Sequence, residues 1–164
     1  MALMTIGWLA TAGVLAHNLE EARRLPAWSR DAGWWYPPVG ATEFRFAASV
    51  LSFALVAAAA FAHACGPRSL AIHGFAAYLA AMVLNAVTHA VATVAGRRYM
   101  PGTATALLLN LPLGTTFVVR GLREGAVEPI TLWYTGALVG AVLLVSIPLL
   151  FALGRRLRPA GGTA

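Results

Sequence analysis

Five apolar runs divide this chain, at about 2–22, 43–64, 69–95, 103–122 and 131–153, and each is long enough to span a bilayer. A helix rises about 1.5 Å per residue, so a hydrocarbon core about 30 Å thick needs about 20 mostly apolar residues. Inside that core every backbone polar group must find its partner within the segment, which leaves helices as the economical solution. A soluble helix shows apolar residues on one face only; here they continue all the way round. The runs predict an all-α polytopic membrane protein, a bundle of five transmembrane helices forming one membrane domain over residues 1–164. Composition agrees: 59% of the residues are hydrophobic and 11% charged, against about a quarter charged in soluble domains.

The connections carry the Pro, Gly and charge of turns: GPRS, GRRYMPG and REGAVEP. The first is longer, RRLPAWSRDAGWWYPPVGA. Its Trp28, Trp34, Trp35 and Tyr36, with Arg23, Arg24 and Arg30, predict a segment lying in the membrane interface over about 23–42. All the basic residues are Arg, and they cluster by side. Arg23, Arg24, Arg30, Arg45, Arg97, Arg98, Arg155, Arg156 and Arg158 fall at one end of the bundle; Arg68, Arg120 and Arg123 fall at the other. The positive-inside rule makes the richer side cytoplasmic, with the N-terminus outside and the C-terminus inside. The same clustering between apolar runs argues against nucleic acid as a partner, despite a net charge of +6. Richness in Ala and Gly, with Arg but no Lys, suits a GC-rich bacterial genome, so a bacterial cytoplasmic membrane is expected. VLA before His17 has the look of a signal-peptidase site, but no Arg or Lys precedes it, and an uncleaved first helix is expected. Cys65 is the sole cysteine, which excludes an internal disulfide and a thiolate metal cluster.

Depth singles out one motif. The residues from Ala2 to Ala16 span only about 22 Å as a helix, short of the core thickness. The first helix can finish crossing only if HNLEEA is part of the crossing. In the third run NAVTH brings Asn85 and His89 to the same level, in the fourth Asn110 and Pro112 follow the YMPG turn, and Glu43 opens the second. Polar groups at this depth normally face a bundle interior or a wet cavity. His17, Glu20 and Glu21 share a helix face at i, i+3 and i+4, and Asn85 and His89 are i,i+4. Asn18 falls about 100° off that face.

HNLEE at 17–21, NAVTH at 85–89 and YMPG at 99–102 match, in order, the HxxEE, NxxxH and YxPG signatures. In these motifs the chain resembles the HXXEE-domain family of small membrane proteins, over roughly the first four runs. The resemblance implies a shared site at these residues and carries no reaction with it.

The chemistry these residue types support is an enzyme acting on a hydrophobic, lipid-like small molecule near the cytoplasmic side, with catalytic candidates His17, Glu20, Glu21, Asn85 and His89. A divalent metal, zinc or iron, is the first reading. His17, Glu21 and His89 would be ligands, Glu20 a fourth ligand, bridge or base, and Asn85 a partner that orients an imidazole. Glu43, Tyr99 and Asn110 are candidates for a substrate pocket. A full di-iron site is disfavoured, because that design uses four carboxylates. The metal-free alternative is an acid–base isomerase or cyclase of terpenoid or sterol-like lipids, and a third is a proton- or metal-coupled carrier.

Plainer roles stand beside these. Glu20 and Glu21 would pair with Arg23 and Arg24 at a helix end. His17 and His89 would make a helix-to-helix hydrogen bond, worth about 0.6 kcal/mol. Tyr99, Pro101 and Gly102 would form a tight turn. Asn110 and Pro112 would kink the fourth helix. GALVG at 136–140 predicts close packing within the chain, and His63 and His73 are placed at an interface with no role.

Overall fold

A computed structural model describes residues 1–157; Arg158, counted above with the cytoplasmic arginines, lies outside the described residues. Among these residues the structure is helical throughout: α1 (Leu3–Arg30), α2 (Ala41–Cys65), α3 (Leu70–Ala95), α4 (Thr103–Arg123) and α5 (Pro129–Arg156). Of these, α2, α3, α4 and α5 are long and apolar enough to cross a membrane. The fifth expected span, α1, does not join them by composition. That helix has 28 residues, ample length, but His17, Asn18, Glu20, Glu21, Arg23 and Arg24 dilute its apolar character.

The interfacial loop is also shorter than the sequence suggests. α1 continues through Arg30, and only residues 31–40 are irregular. Pro26 lies inside the helix and removes the N–H that would have bonded the carbonyl four residues earlier. That carbonyl belongs to Ala22, and Arg45 of α2 donates its Nε–H to it at 3.1 Å. The side chain of one helix repairs the backbone defect of another. Ser29 closes the end: its hydroxyl donates to the Pro26 carbonyl at 3.0 Å and accepts the Val39 N–H at 3.0 Å. The linker aromatics then fold back, with Trp35 and Tyr36 edge-on to Trp28 at 5.8 and 5.4 Å.

The central packing draws on every helix. Ile6, Ala10 and Val14 of α1 meet Leu55 and Ala59 of α2, Phe75 and Leu79 of α3, and Phe117 of α4. Small residues let the helices close in, as membrane bundles require. A Cβ on Gly7 would lie 3.0 Å from both Phe75 and Phe117, whose rings stack edge-on at 5.0 Å. The expected kink in α4 takes the form of a π-helical stretch, Ala106–Asn110, with Pro112 just beyond it. Proline and a π-helical turn are each recognised causes of a bend in a helix.

Two expectations about the opposite end change. His73 is buried: its Nδ1–H donates to the Ser69 carbonyl at 2.6 Å, and its Nε2 accepts the Glu128 N–H at 2.8 Å. It clips the start of α3 to the start of α5. The two glycines of GALVG form no close seam within the chain, since a Cβ on Gly136 or Gly140 would meet nothing within 4 Å, and the stretch packs on the core through Val139 instead. α5 lies on the outside of the bundle, and its most apolar stretch contains no buried residue.

Candidate functional site

The polar residues of α1 and α3 converge. His17 is fully buried and held at both ring nitrogens. Its Nδ1 lies 3.0 Å from the Gly102 carbonyl, an oxygen that can only accept, so the proton sits on Nδ1. In the neutral ring this leaves a lone pair on Nε2. The Asn85 amide nitrogen stands 3.2 Å from that Nε2, and one oxygen of Glu21 stands 3.5 Å away. The other oxygen of Glu21 lies 3.1 Å from Nε2 of His89. One carboxylate thus faces two imidazoles, one through each oxygen, and the rings stand edge-on at 5.0 Å.

Helical geometry explains why Glu21 and not Glu20 occupies this place. Successive residues diverge by about 100°, so the two neighbours lie on either side of His17 along the helix surface. Glu21 turns to α3. Glu20 turns to the start of α4, where it accepts hydrogen bonds from Tyr99 at 2.6 Å and Thr105 at 2.9 Å, with Arg24 at 3.9 Å. The expected role of Glu20 as a fourth ligand is not matched: ligand atoms of His17, Glu21 and His89 lie within 4.8 Å of one another, and Glu20 is outside that group.

The YMPG turn is a tight turn, and it also builds the site. Gly102 has φ +93°, and a Cβ there would lie 2.8 Å from His17 Cε1 and 2.9 Å from Glu21 Cγ. Only glycine combines that backbone with that space. Tyr99 spans the turn, donating to Glu20 and accepting the Ala104 N–H at 3.1 Å. Burial and the bond to Glu20 raise the Tyr99 phenol above its ordinary value. Thr103 donates to the Met100 carbonyl at 2.7 Å and stands 2.8 Å from Thr93, tying the turn to α3.

A cavity of about 240 Å³ lies against this cluster, between α1, α2, α3 and α5. His17, Asn18, Glu21 and Asn85 form its polar wall; the rest is apolar, including Phe44, Leu51, Met82 and Phe151, apart from Tyr78, whose hydroxyl donates to the Leu51 carbonyl at 3.3 Å. The expected pocket residues lie elsewhere. Glu43 is buried at the start of α2, where it accepts the Gly40 N–H at 3.1 Å and packs under Gly154. Asn110 is buried in the π-helical stretch beside Gly13, its amide without a partner among the described residues. Tyr99 lies over Glu20, on the far side of α1 from the cavity.

The motif and its surroundings match the family described as "Protein of unknown function with HXXEE motif" over residues 8–117. The chain belongs to the HXXEE family. It is similar to the "Uncharacterized protein YrkK" of Bacillus subtilis (strain 168), 36% identical over 148 residues, which cover 89% of this chain and 93% of that protein. No solved structure matches. The matched region begins in the middle of the first turns of α1 and ends within α4, so it contains the whole cluster and leaves out α5, which supplies the cavity's outer wall.

Some of the site has no letter in the motif. Asn18 donates to Ser52 of α2 at 2.9 Å and lines the cavity, although it is off the His17–Glu21 face. Thr105 is a second hydroxyl on Glu20. The Gly102 carbonyl is backbone, and only the glycine's forced conformation hints at it.

Proposed function

We propose that this chain is a membrane-embedded enzyme acting on a hydrophobic small molecule, with a divalent metal, zinc or iron, held by His17, Glu21 and His89. The supporting observation is the buried set of two imidazoles and one carboxylate whose ligand atoms lie within 4.8 Å. The surroundings fit such an ion. A ligating histidine commonly donates its other ring N–H to a carbonyl, as His17 does to Gly102. On His89, Nδ1 is buried with no hydrogen-bond partner among the described residues. A bound cation would supply Lewis-acid activation of a water or a substrate oxygen. The chain's own groups do the rest. Gly102 fixes the tautomer of His17, Asn85 steadies the ring, and the apolar cavity wall keeps bulk water from the carboxylate.

Metal analysis of detergent-purified protein prepared without chelator tests this. About one ion per chain is expected, with loss in Glu21→Gln and His89→Ala. Trace metal in the unaltered protein turns the choice to metal-free proton transfer. That second reading is supported by the 3.1 Å contact of His89 with Glu21, which already has the length of a finished hydrogen bond. Under either reading His17→Ala abolishes turnover.

The topology we favour has all five helices crossing a bacterial cytoplasmic membrane, N-terminus outside and C-terminus inside. It is supported by the arginines on the 97–98 turn and the end of α5. In that arrangement the cluster lies in the cytoplasmic half. Thiol labelling of cysteines placed in the 97–102 turn checks it, and labelling from outside overturns it.

A further inference from the structure

The cavity has features that narrow what it can hold. Its polar character is concentrated on one wall, contributed by His17, Asn18, Glu21 and Asn85; Tyr78 also lines it, but its hydroxyl is taken up by the Leu51 carbonyl at 3.3 Å. The facing surfaces on α2 and α5 are apolar: Phe44, Ala47, Leu51, Leu143, Ile147 and Phe151. Among the described residues no arginine lines it, so an anionic head would meet no cation there and would stand beside Glu21. Size is a second limit. An apolar cavity of about 150 Å³ takes benzene, and on that scale the 240 Å³ of this partly open cavity accommodates about ten carbons. A fused four-ring skeleton exceeds that volume and would have to protrude. The outer wall suggests where the occupant comes from. Ile147 lines the cavity and is also 39% exposed on the bundle surface, and the apolar stretch of α5 around it contains no buried residue. The space is therefore separated from the bilayer by a single helix.

From this geometry we infer that the cavity binds a short amphiphile taken up from the lipid phase. The ligand has an apolar body of about ten carbons and one neutral oxygen function, an alcohol, aldehyde or ketone, set against His17, Glu21 and Asn85. The inference rests on reading those three residues as the chemical end of the cavity, and it gives that site its substrate class.

The test uses the full chain in lipid nanodiscs and a photoreactive ten-carbon primary alcohol with a diazirine at its far end. Adducts are mapped by mass spectrometry. Labelling is expected on the α2 and α5 residues named above. It should be competed away by decan-1-ol at least tenfold better than by decanoate, decylamine or cholesterol. Ala48→Phe, which puts a ring into the cavity from α2, should cut labelling at least fivefold; Ala81→Leu serves if that variant does not fold. Adducts spread over the lipid-facing surfaces, or unaffected by both variants, overturn the inference. Stronger competition by decylamine or decanoate overturns the neutral head, and stronger competition by cholesterol overturns the size limit. Metal content measured on the same samples keeps the two readings apart. Cavity labelling without metal removes only the metal site, and metal without cavity labelling removes only the ligand.

Discussion

Gly102 concentrates three demands in one residue. Its φ of +93° places it where a side chain is strained, its missing Cβ leaves room for His17 and Glu21, and its carbonyl holds the His17 proton. Gly102→Ala is expected to lower stability by about 1–3 kcal/mol through backbone strain alone. It should also abolish turnover, since the added methyl lands on both site residues; a thermal melt and an activity assay separate the two effects. Glu20 makes a contrasting prediction. Glu20→Gln weakens the bonds from Tyr99 and Thr105, and Tyr99→Phe removes those to Glu20 and from the Ala104 N–H; at this partly exposed place each should cost about 1–2 kcal/mol. Neither should change metal content, because Glu20 lies outside the three-residue group. Metal loss in Glu20→Gln would return Glu20 to the ligand set. The spacing of His17, Glu21, Asn85 and His89 was legible from helical periodicity. The separation of Glu20 from Glu21 was not, because two helices flank His17 and the spacing does not say which neighbour each carboxylate meets. Asn18 lies off that face, and its partner there is Ser52 of α2, which the spacing within α1 does not reveal.

At the scale of elements, the linker shows what pattern reading misses. Its Arg, Pro and Trp content reads as an interfacial loop, yet α1 runs on to Arg30. A proline ends a helix when its lost hydrogen bond goes unrepaired, and here Arg45 repairs it from a residue far along the chain. Tertiary contacts of this kind have no local signal. The aromatic cluster beyond it carries a pH prediction. Burial, with the charge of Glu21 adding to it, pushes the Tyr36 phenol up to about 12 from its ordinary value of 10. Because the neutral form is favoured in the folded state, this contribution to stability is fully present below pH 10 and is lost as pH rises towards 12. Phenolate absorbance should therefore show late tyrosine ionisation, and Tyr36→Phe should reduce the amplitude of that late step.

Over the whole molecule, the bundle of apolar helices was legible from run length alone, because the bilayer's thickness imposes it. What length could not show is the order of the layers. GALVG, with its small residues, reads as a packing seam, but α5 is peripheral, its two glycines meet no neighbour, and Val139 makes the contact with the core. The proposed topology carries a direct check. Cys65 is exposed at the end of α2, the end away from the 97–102 turn. With the N-terminus outside, it should react in intact cells with a maleimide that cannot cross membranes. Reaction only after permeabilisation would reverse the orientation.

The polar character of α1 bears on how the protein is made. In the proposed topology the helix that carries His17, Asn18, Glu20 and Glu21 is the one that partitions least readily into lipid, and it emerges from the ribosome before the helices that shelter those groups. Its stable insertion must wait for α3 and the YMPG turn, so biogenesis and site assembly are completed by the same contacts. Replacing His17 and Glu21 with leucine should then raise the yield of membrane-inserted protein while destroying turnover. A pulse-chase comparison of insertion with the unaltered chain would expose that conflict, which natural sequences settle in favour of activity over yield.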